Sequence, residues 1–515
     1  MKVKILTSVL ALTLMFSACS DWEELNTDPN NPLAENVDPG LKVGSVFKEA
    51  CLAAELHQRI HNLYVDMFAQ YYTGTGFGSY QGNSEDGWTS LYWDNHYRWF
   101  NSLSILINQY GDNESYVNSV AVMKIWRVWI THRAVDLMGD IPYSNVIDGV
   151  YDTEESIYKD MLSQLEEAVS SINPDLAMFS DPIYNGDLAK WSKFGNSLRL
   201  RLAMRVSGVD AALAKTHAEA AVAGGVLESL ANMPTMYANT QLWGEGYSYN
   251  YYFWWGPGNG VAMSKTFYDL TIGIGGLAFN TADVGAAAIN YPAMVDPRAT
   301  IIFGTSDQNT VDRAEGFDGR WAGIAAGLNA TERADPSNFA QNNSRINVTL
   351  RGEFNGDNNR TWTIMPISEV WFLRAEGALN GWNMGVTAQS AYESGVAASF
   401  EYWGLSSSAT YLASGEENGM GISASWGDGK GTDLEKVMAQ KYLGGYPDNG
   451  WEAWADLRRL GLPVVDYGVQ LNTNVPAGTP VQRVKYPTSQ KILNPDNYAA
   501  VASQDHEGRK HWWSK

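Results

Sequence analysis

Apolar residues recur at three- and four-residue spacing through most of this chain, the period of a helix with one buried face. Leu41 to Gln70 reads as amphipathic helix, and Asn95 to Tyr110 continues the pattern. Asn118 to Met138 predicts a long helix stopped by Gly139 and Pro142, followed by another from Glu154 to Ile172. Asp187 is placed to cap a helix to Ser207, with Trp191, Phe194, Leu198 and Leu202 on one face, and Ala211 to Ala223 follows. From about 224 to 365 the helical period fades. Gly, Asn, Asp and aromatics rise there, and short β-like pieces appear, such as Ala299 to Phe303. Helices return at Ser368 to Asn380, Thr387 to Trp403, Thr432 to Leu443 and Asn449 to Leu460, before a turn-rich tail over 463–515. The pattern predicts a mainly α fold of stacked helical hairpins. Its scaffold covers about 41–223 and 366–462, with an irregular capping subdomain containing short β-strands inserted at about 224–365. Loop-joined helix pairs suggest a tetratricopeptide arrangement, although a strict repeat is not visible.

The N-terminus has a different texture. Lys2 and Lys4 precede the apolar run Ile5 to Phe16, and Ser17, Ala18 and Cys19 supply small residues. This is the layout of a secretory signal peptide over 1–18. Its small-small-Cys ending resembles a bacterial lipobox, with Phe16 where Leu is usual, and predicts lipidation of Cys19. Residues 19–40, polar and turn-rich, read as a lipidated tether, and the acidic run after the Cys resembles a cell-surface signal. No later stretch has the roughly eighteen apolar residues that a spanning helix needs.

Only two cysteines occur, Cys19 and Cys51. With Cys19 lipidated no internal disulfide can form, and Cys51, in an Ala/Leu-rich helical run, is expected as a buried small hydrophobe. The formal net charge is −21. Loss of two leader lysines makes the mature chain more negative still, which argues against nucleic acid and anionic lipid surfaces as partners.

No catalytic signature is present. There is no nucleophile elbow, P-loop or dinucleotide fingerprint. His57 and His61 share a helical spacing, but Gln58 stands where a zinc protease needs Glu, so a packing face is the better reading. Paired carboxylates such as Glu166-Glu167 fit a solvated helix face, and Asp140 in Gly139-Asp140-Ile141-Pro142-Tyr143 fits a turn cap. Asn355-Gly356-Asp357-Asn358-Asn359 lacks the closing Glu of a calcium loop. Neither cofactor nor metal is expected, and the chain is read as a binder rather than an enzyme.

The aromatics change the picture more: 20 Trp, 27 Tyr and 16 Phe. Most must fill the core, but some fall in polar, Gly-rich stretches. Sugars present C–H patches bordered by hydroxyls, which suit aromatic faces among polar side chains. Two stretches have this look. Tyr71 to Trp93 contributes Tyr72, Phe77, Tyr80, Trp88 and Trp93; Trp243 to Trp255 contributes Tyr247, Tyr251, Trp254 and Trp255. Trp321, in the turn Gly319-Arg320-Trp321, is a third candidate.

Several segments in order resemble one family. They are Leu25-Asn26-Thr27-Asp28-Pro29-Asn30 after the lipobox, Leu137 to Ser144, and Asp181 to Asp187 running into Lys190 to Ala203. Further along come Asp296-Pro297-Arg298, Glu369 to Gly381, Gly450 to Trp454 with Arg458 to Pro463, and Arg483 to Pro487 with Asn494. Gln490 stands where Glu is expected. Together they resemble the SusD/RagB-like outer-membrane lipoproteins. The resemblance implies one SusD-like domain over 41–515 with tetratricopeptide-type hairpins under an irregular cap. It also implies capture of an oligosaccharide at the cell surface for a SusC-like, TonB-dependent porin on which the protein sits as a lid. Peptide capture is the alternative, and a surface glycosidase a weaker one. Asn196, Arg199, Arg201, Arg458 and Arg459 within these motifs are read as tying the fold together.

Overall fold

Several helix starts in this chain are fixed by short polar side chains that accept from free amide groups near the start of the helix. The computed structural model describes residues 39–74, 82–238, 262–281, 284, 291–306, 316–317, 319–347, 360–469 and 471–514. The scaffold opens with α1 (Pro39–Leu52), a π-helix (His57–Asp66), α2 (Asp86–Tyr110) and α3 (Val117–Met138). Then come α4 (Glu154–Ser171), α5 (Leu188–Val206) and α6 (Ala211–Ala223), each started by a cap: Thr153, Asp187 and Asp210. Gly139, at φ 86°, ends α3 in a conformation only glycine adopts readily.

The short helices between residues 224 and 365 include α7 (Lys265–Thr271) and α8 (Pro297–Ile302). The scaffold resumes with α9 (Ile367–Leu379), α10 (Ala388–Tyr402), α11 (Asp433–Gly445) and α12 (Gly450–Arg459), and the tail carries α13 (Thr488–Leu493). Neighbours in sequence pack as hairpins: α2 on α3, α3 on α4, α4 on α5, α5 on α6, α9 on α10, and α11 on α12. Helix α5 also packs on α9, and the π-helix on α12, so the halves close on each other. Strands are short, in two-stranded ribbons: β1 (Tyr72–Thr73) with β5 (Ala262–Met263), β2 (Ile141–Pro142) with β3 (Tyr151–Asp152), β4 (Thr235–Ala238) with β8 (Arg360–Thr363), and β6 (Phe303–Gly304) with β7 (Arg345–Ile346). The mainly helical fold with a few short strands is the one the sequence pattern predicts.

Three local readings are corrected. Ala299 to Ile302 is helical, because Asp296 accepts from the Arg298 amide and Pro297 presets the first turn; only Phe303 joins a strand. Leu41 to Gln70 is broken into α1 and the π-helix, with Gln70 at φ 57°. Helix α2 begins at Asp86 rather than Asn95, so Trp88 and Trp93 stand on a helix. Thr89, Tyr92, Trp93, His96, Trp99, Phe100 and Leu103 form its buried face, and burying these rings outweighs their modest helix propensity.

The two halves meet around buried charge. Carboxylates Asp136, Glu369, Glu376, Glu452 and Asp456 stand among cations Arg201, Arg205, Lys441, Arg458 and Arg459, all buried. Arg201 on α5 forms a fork with Glu369 on α9, both contacts 2.7 Å, and Asn449 Nδ2 donates to the same carboxylate at 2.8 Å. Arg205 donates to Glu452 on α12 at 2.6 Å and lies 3.3 Å from Asp136 on α3. Arg459 donates to Glu376 at 2.8 Å and to Asp456 at 2.9 Å. Arg458 donates to the Asp136 and Gln482 carbonyls at 2.6 and 2.8 Å, with its guanidinium 3.4 Å over the Trp454 ring. The motif arginines thus tie neighbouring hairpins and loop carbonyls together. The tail seals this centre, with Trp513 buried beneath Arg205 and Arg458.

Candidate functional site

The chain turns sharply at Gln70, whose side chain is held from two sides: Nε2 donates to the Asp466 carbonyl at 3.0 Å and Oε1 accepts from Thr266 at 2.6 Å. Tyr442 Oη donates to the Ala69 and Gln70 carbonyls at 2.9 and 2.7 Å. This fixes the direction of β1, which pairs antiparallel with β5, Tyr72 opposite Met263 and Thr73 opposite Ala262. A third segment joins β5. Ile324 N donates to Met263 O at 2.8 Å, Lys265 N to Ile324 O at 2.7 Å, and Met263 N to Ser344 O at 2.8 Å. Gly323 permits this approach; a Cβ there would lie 2.4 Å from the Ser264 carbonyl oxygen.

The consequence is topological. Residues 75–81 follow the end of β1, and residues 239–261 run into β5, so both aromatic-rich stretches are tethered at one paired position. The other end of 239–261 leaves β4 at Ala238, which pairs with Arg360 of β8, the residue reached from 348–359. The Trp321 segment meets the same β5. Stretches far apart in sequence are therefore anchored on one small junction.

The candidate side chains divide sharply. Tyr72, Trp93 and Trp321 are 1%, 7% and 2% exposed, and each ring is packed against other rings. Tyr72 lies 5.2 Å from Tyr446, and Trp93 lies 4.8 Å from Tyr97 and 6.0 Å from Tyr486. Trp321 meets Phe279 edge-on at 4.9 Å. These are core residues with no face to offer, which corrects the reading of them as ligand contacts. Trp88 is half-buried on the first turn of α2, 5.1 Å from Tyr64. Its approach is stitched to the tail: Ser84 N donates to Glu507 at 3.1 Å and Asn472 Nδ2 to Gly82 O at 2.8 Å. Burial disfavours the Glu507 carboxylate, but its amide, Lys485 and Ser84 contacts together hold its pKa below the ordinary value. Phe77, Tyr80, Tyr247, Tyr251, Trp254 and Trp255 lie outside the described residues, as do Cys19 and the Asn355 to Asn359 segment.

The structure adds Tyr291, which the sequence reading passed over. Its ring is exposed and lies 4.7 Å from Phe279, which in turn packs on Trp321. A lone Tyr between Asn290 and Pro292 gives no clustered signal in sequence.

Groups suited to chemistry are accounted for by packing. The His57 and His61 rings stack at 4.7 Å in the core, and His61 Nδ1 accepts from Trp451 Nε1 at 3.1 Å. Burial pushes the His57 pKa down to about 3. His132, Asp136 and Glu452 bring donor atoms within 4.8 Å of one another, the one such cluster among the described residues. The cation between the two carboxylates is Arg205 itself. Asp140 Oδ1 accepts from the Glu154 amide at 2.9 Å, which ties its turn to the start of α4. Glu166 and Glu167 are exposed. Among the described residues no helix is long and apolar enough to cross a membrane.

No curated protein matches the sequence. Solved structures do. A SusD homolog from Parabacteroides distasonis is 29% identical, covering 92% of this chain and 98% of that one with a TM-score of 0.83. A chitin-binding SusD homolog from Flavobacterium johnsoniae is 26% identical, with coverage of 92% and 98% and a TM-score of 0.73. A SusD-like protein from Bacteroides thetaiotaomicron is also 26% identical over 92% and 98%, with a TM-score of 0.72. The sequence matches the SusD-like family, described as Susd and RagB outer membrane lipoprotein, over residues 24–514, and the chain belongs to that family.

Proposed function

We propose that this protein is anchored to the outer membrane through lipid on Cys19, captures an oligosaccharide at the cell surface, and passes it to a SusC-like, TonB-dependent porin that it covers as a lid. One observation carries the saccharide reading: the aromatic-rich stretches 75–81 and 239–261 are tethered at the same paired position, Thr73 and Ala262. A sugar platform needs several aromatic and amide side chains facing one ligand, and a shared anchor makes that assembly accessible to stretches far apart in sequence. The candidates retained are Phe77, Tyr80, Tyr247, Tyr251, Trp254 and Trp255, with Trp88 at the far end of the first stretch. The buried rings Tyr72 and Trp321 support the junction from below. The Flavobacterium relative described as chitin-binding favours a polysaccharide fragment as cargo. The protein acts by binding, without chemistry on its ligand.

Calorimetry of the chain from Ser20 onward against plant, host and microbial oligosaccharides and mixed peptides tests this. Saccharide binding that is lost in Trp254→Ala supports the reading. Heat from peptides alone, with silence from every sugar, refutes it in favour of peptide capture.

A further inference from the structure

A second recess lies far from the junction. It is a groove of roughly 880 Å³ between α2 and α4, floored by α3 and closed at one end by the turn between β2 and β3. That volume falls in the range of about 300–1,000 Å³ typical of small-molecule sites. Ser104, on its α2 wall, is sixteen residues beyond Trp88, which places it about 24 Å along the helix from that ring.

The floor is polar and already organised. Arg127 donates to Ser104 Oγ at 3.1 Å and to Gln164 Oε1 at 2.8 Å, spanning from α2 to α4, while its Nε is buried without a partner. Tyr143 Oη donates to Asp160 at 2.5 Å and accepts from Gln164 Nε2 at 2.5 Å. Donors and acceptors therefore alternate, and Arg127 balances Asp160. The α2 wall presents Asn101, Ser104, Ile105 and Asn108, an i, i+3, i+4, i+7 spacing that puts all of them on one helix face. Among the described residues neither amide has a hydrogen-bond partner. Their Cα atoms are about 10 Å apart along the helix axis. Ile105 and Ile147 are 64% and 98% exposed at the rim. Aliphatic patches this open, beside free amides, offer a ligand both C–H contact and paired donors and acceptors.

We propose that this groove is a second binding site, for a neutral saccharide of two or three rings. Its chemistry excludes a strongly anionic ligand, because Asp152 and Asp160 line it with a single arginine. One main mode of extended-peptide binding pairs the peptide's main chain with a free strand edge, which this groove does not offer, since its side walls are helices whose backbone groups bond internally. The site stands independently of the junction.

The test is a local probe. Gln109, exposed beside Asn108 on α2, is replaced by Cys in the chain begun at Ser20, where Cys51 is buried, and labelled with an environment-sensitive fluorophore. Maltotriose, cellotriose and chitotriose are titrated separately, with trialanine as the peptide arm and a Glu401→Cys label on α10 as the remote control. A saturable change with at least one trisaccharide, absent from the control label and weakened at least tenfold by Asn101→Ala with Asn108→Ala, supports the proposal. No saturable change with any sugar, a change that persists in the double variant, an equal change at the control label, or a response to trialanine alone overturns it. Calorimetry with the junction variants reads the other site, so either reading can fail without the other.

Discussion

Replacing Glu369 with Gln isolates what the buried charge network contributes. The substitution keeps the size of the side chain and its contact with Asn449, but removes the charge that faces Arg201. Arg201 is almost wholly buried, and its next carboxylate oxygen, Glu452 Oε1, lies 3.7 Å away, beyond hydrogen-bond distance, while Arg205 holds the other oxygen of that carboxylate. An orphaned buried guanidinium cannot recover its hydration. Removing one partner of such a pair therefore costs about 3–5 kcal/mol, whereas replacing both with apolar residues of similar volume is close to neutral. Urea unfolding, followed by fluorescence and far-ultraviolet circular dichroism, should show Glu369→Gln at a markedly lower midpoint with an unchanged slope. Arg201→Met with Glu369→Leu should recover most of the loss, a coupling that a thermodynamic cycle reads directly. The reasoning fails if Glu369→Gln costs less than about 1 kcal/mol, or if the double variant loses the sum of the single losses.

Other outcomes follow from the same geometry. Gly323→Ala should push the 321–325 segment off β5, costing about 1–3 kcal/mol by overpacking and weakening saccharide binding at the junction; unchanged binding would detach that segment from the site. Leu198→Ala, at a fully buried position on α5, should cost about 2–5 kcal/mol in the same urea assay. Stability should fall on acidification: burial holds His57, His96 and His132 to pKa values of about 3, 3 and 4, all below their ordinary 6.5. For Asp136, burial opposes ionisation but Arg205 outweighs it and holds the carboxyl at about 2, below 3.8. Each group binds its proton more weakly when folded, so the loss begins as pH drops below about 6.5 and continues toward 2. A flat profile of unfolding midpoint between pH 7 and 4 would contradict it. Cys19→Ser should leave the fold intact and release the protein from the membrane fraction; retention of that variant at the membrane would exclude lipid as the anchor.

Much of the scaffold was legible because its signals are local. Asp187 followed by Trp191, Phe194, Leu198 and Leu202 states both where α5 starts and which face it buries, and the structure places all four side chains in the core. Asp296-Pro297 is an equally local helix start, but the β-branched pair Thr300 and Ile301 makes the run that follows look like a strand, since a short apolar run does not distinguish strand from helix. The candidate site was harder to read. Aromatics in a polar, Gly-rich stretch look alike in sequence whether they line a ligand or fill a core. Trp88 and Trp93 are five residues apart on one helix, yet one is half-exposed and the other is sealed by Tyr97 and Tyr486. Tyr486 comes from a tail nearly four hundred residues away, and no local pattern announces it.

The sequence by itself determined the order of the long helices, the Asp187 cap, the family and the identity of the motif arginines, because periodicity, capping and motif order are encoded within a few turns of chain. Only the tertiary structure decided which carboxylate each arginine meets, that β1, β5 and the Trp321 segment share one junction, and that Tyr72, Trp93 and Trp321 are support rather than surface. Those are matters of long-range contact. Burial and pairing depend on what the rest of the chain packs against a residue, and spacing along the sequence carries no record of that.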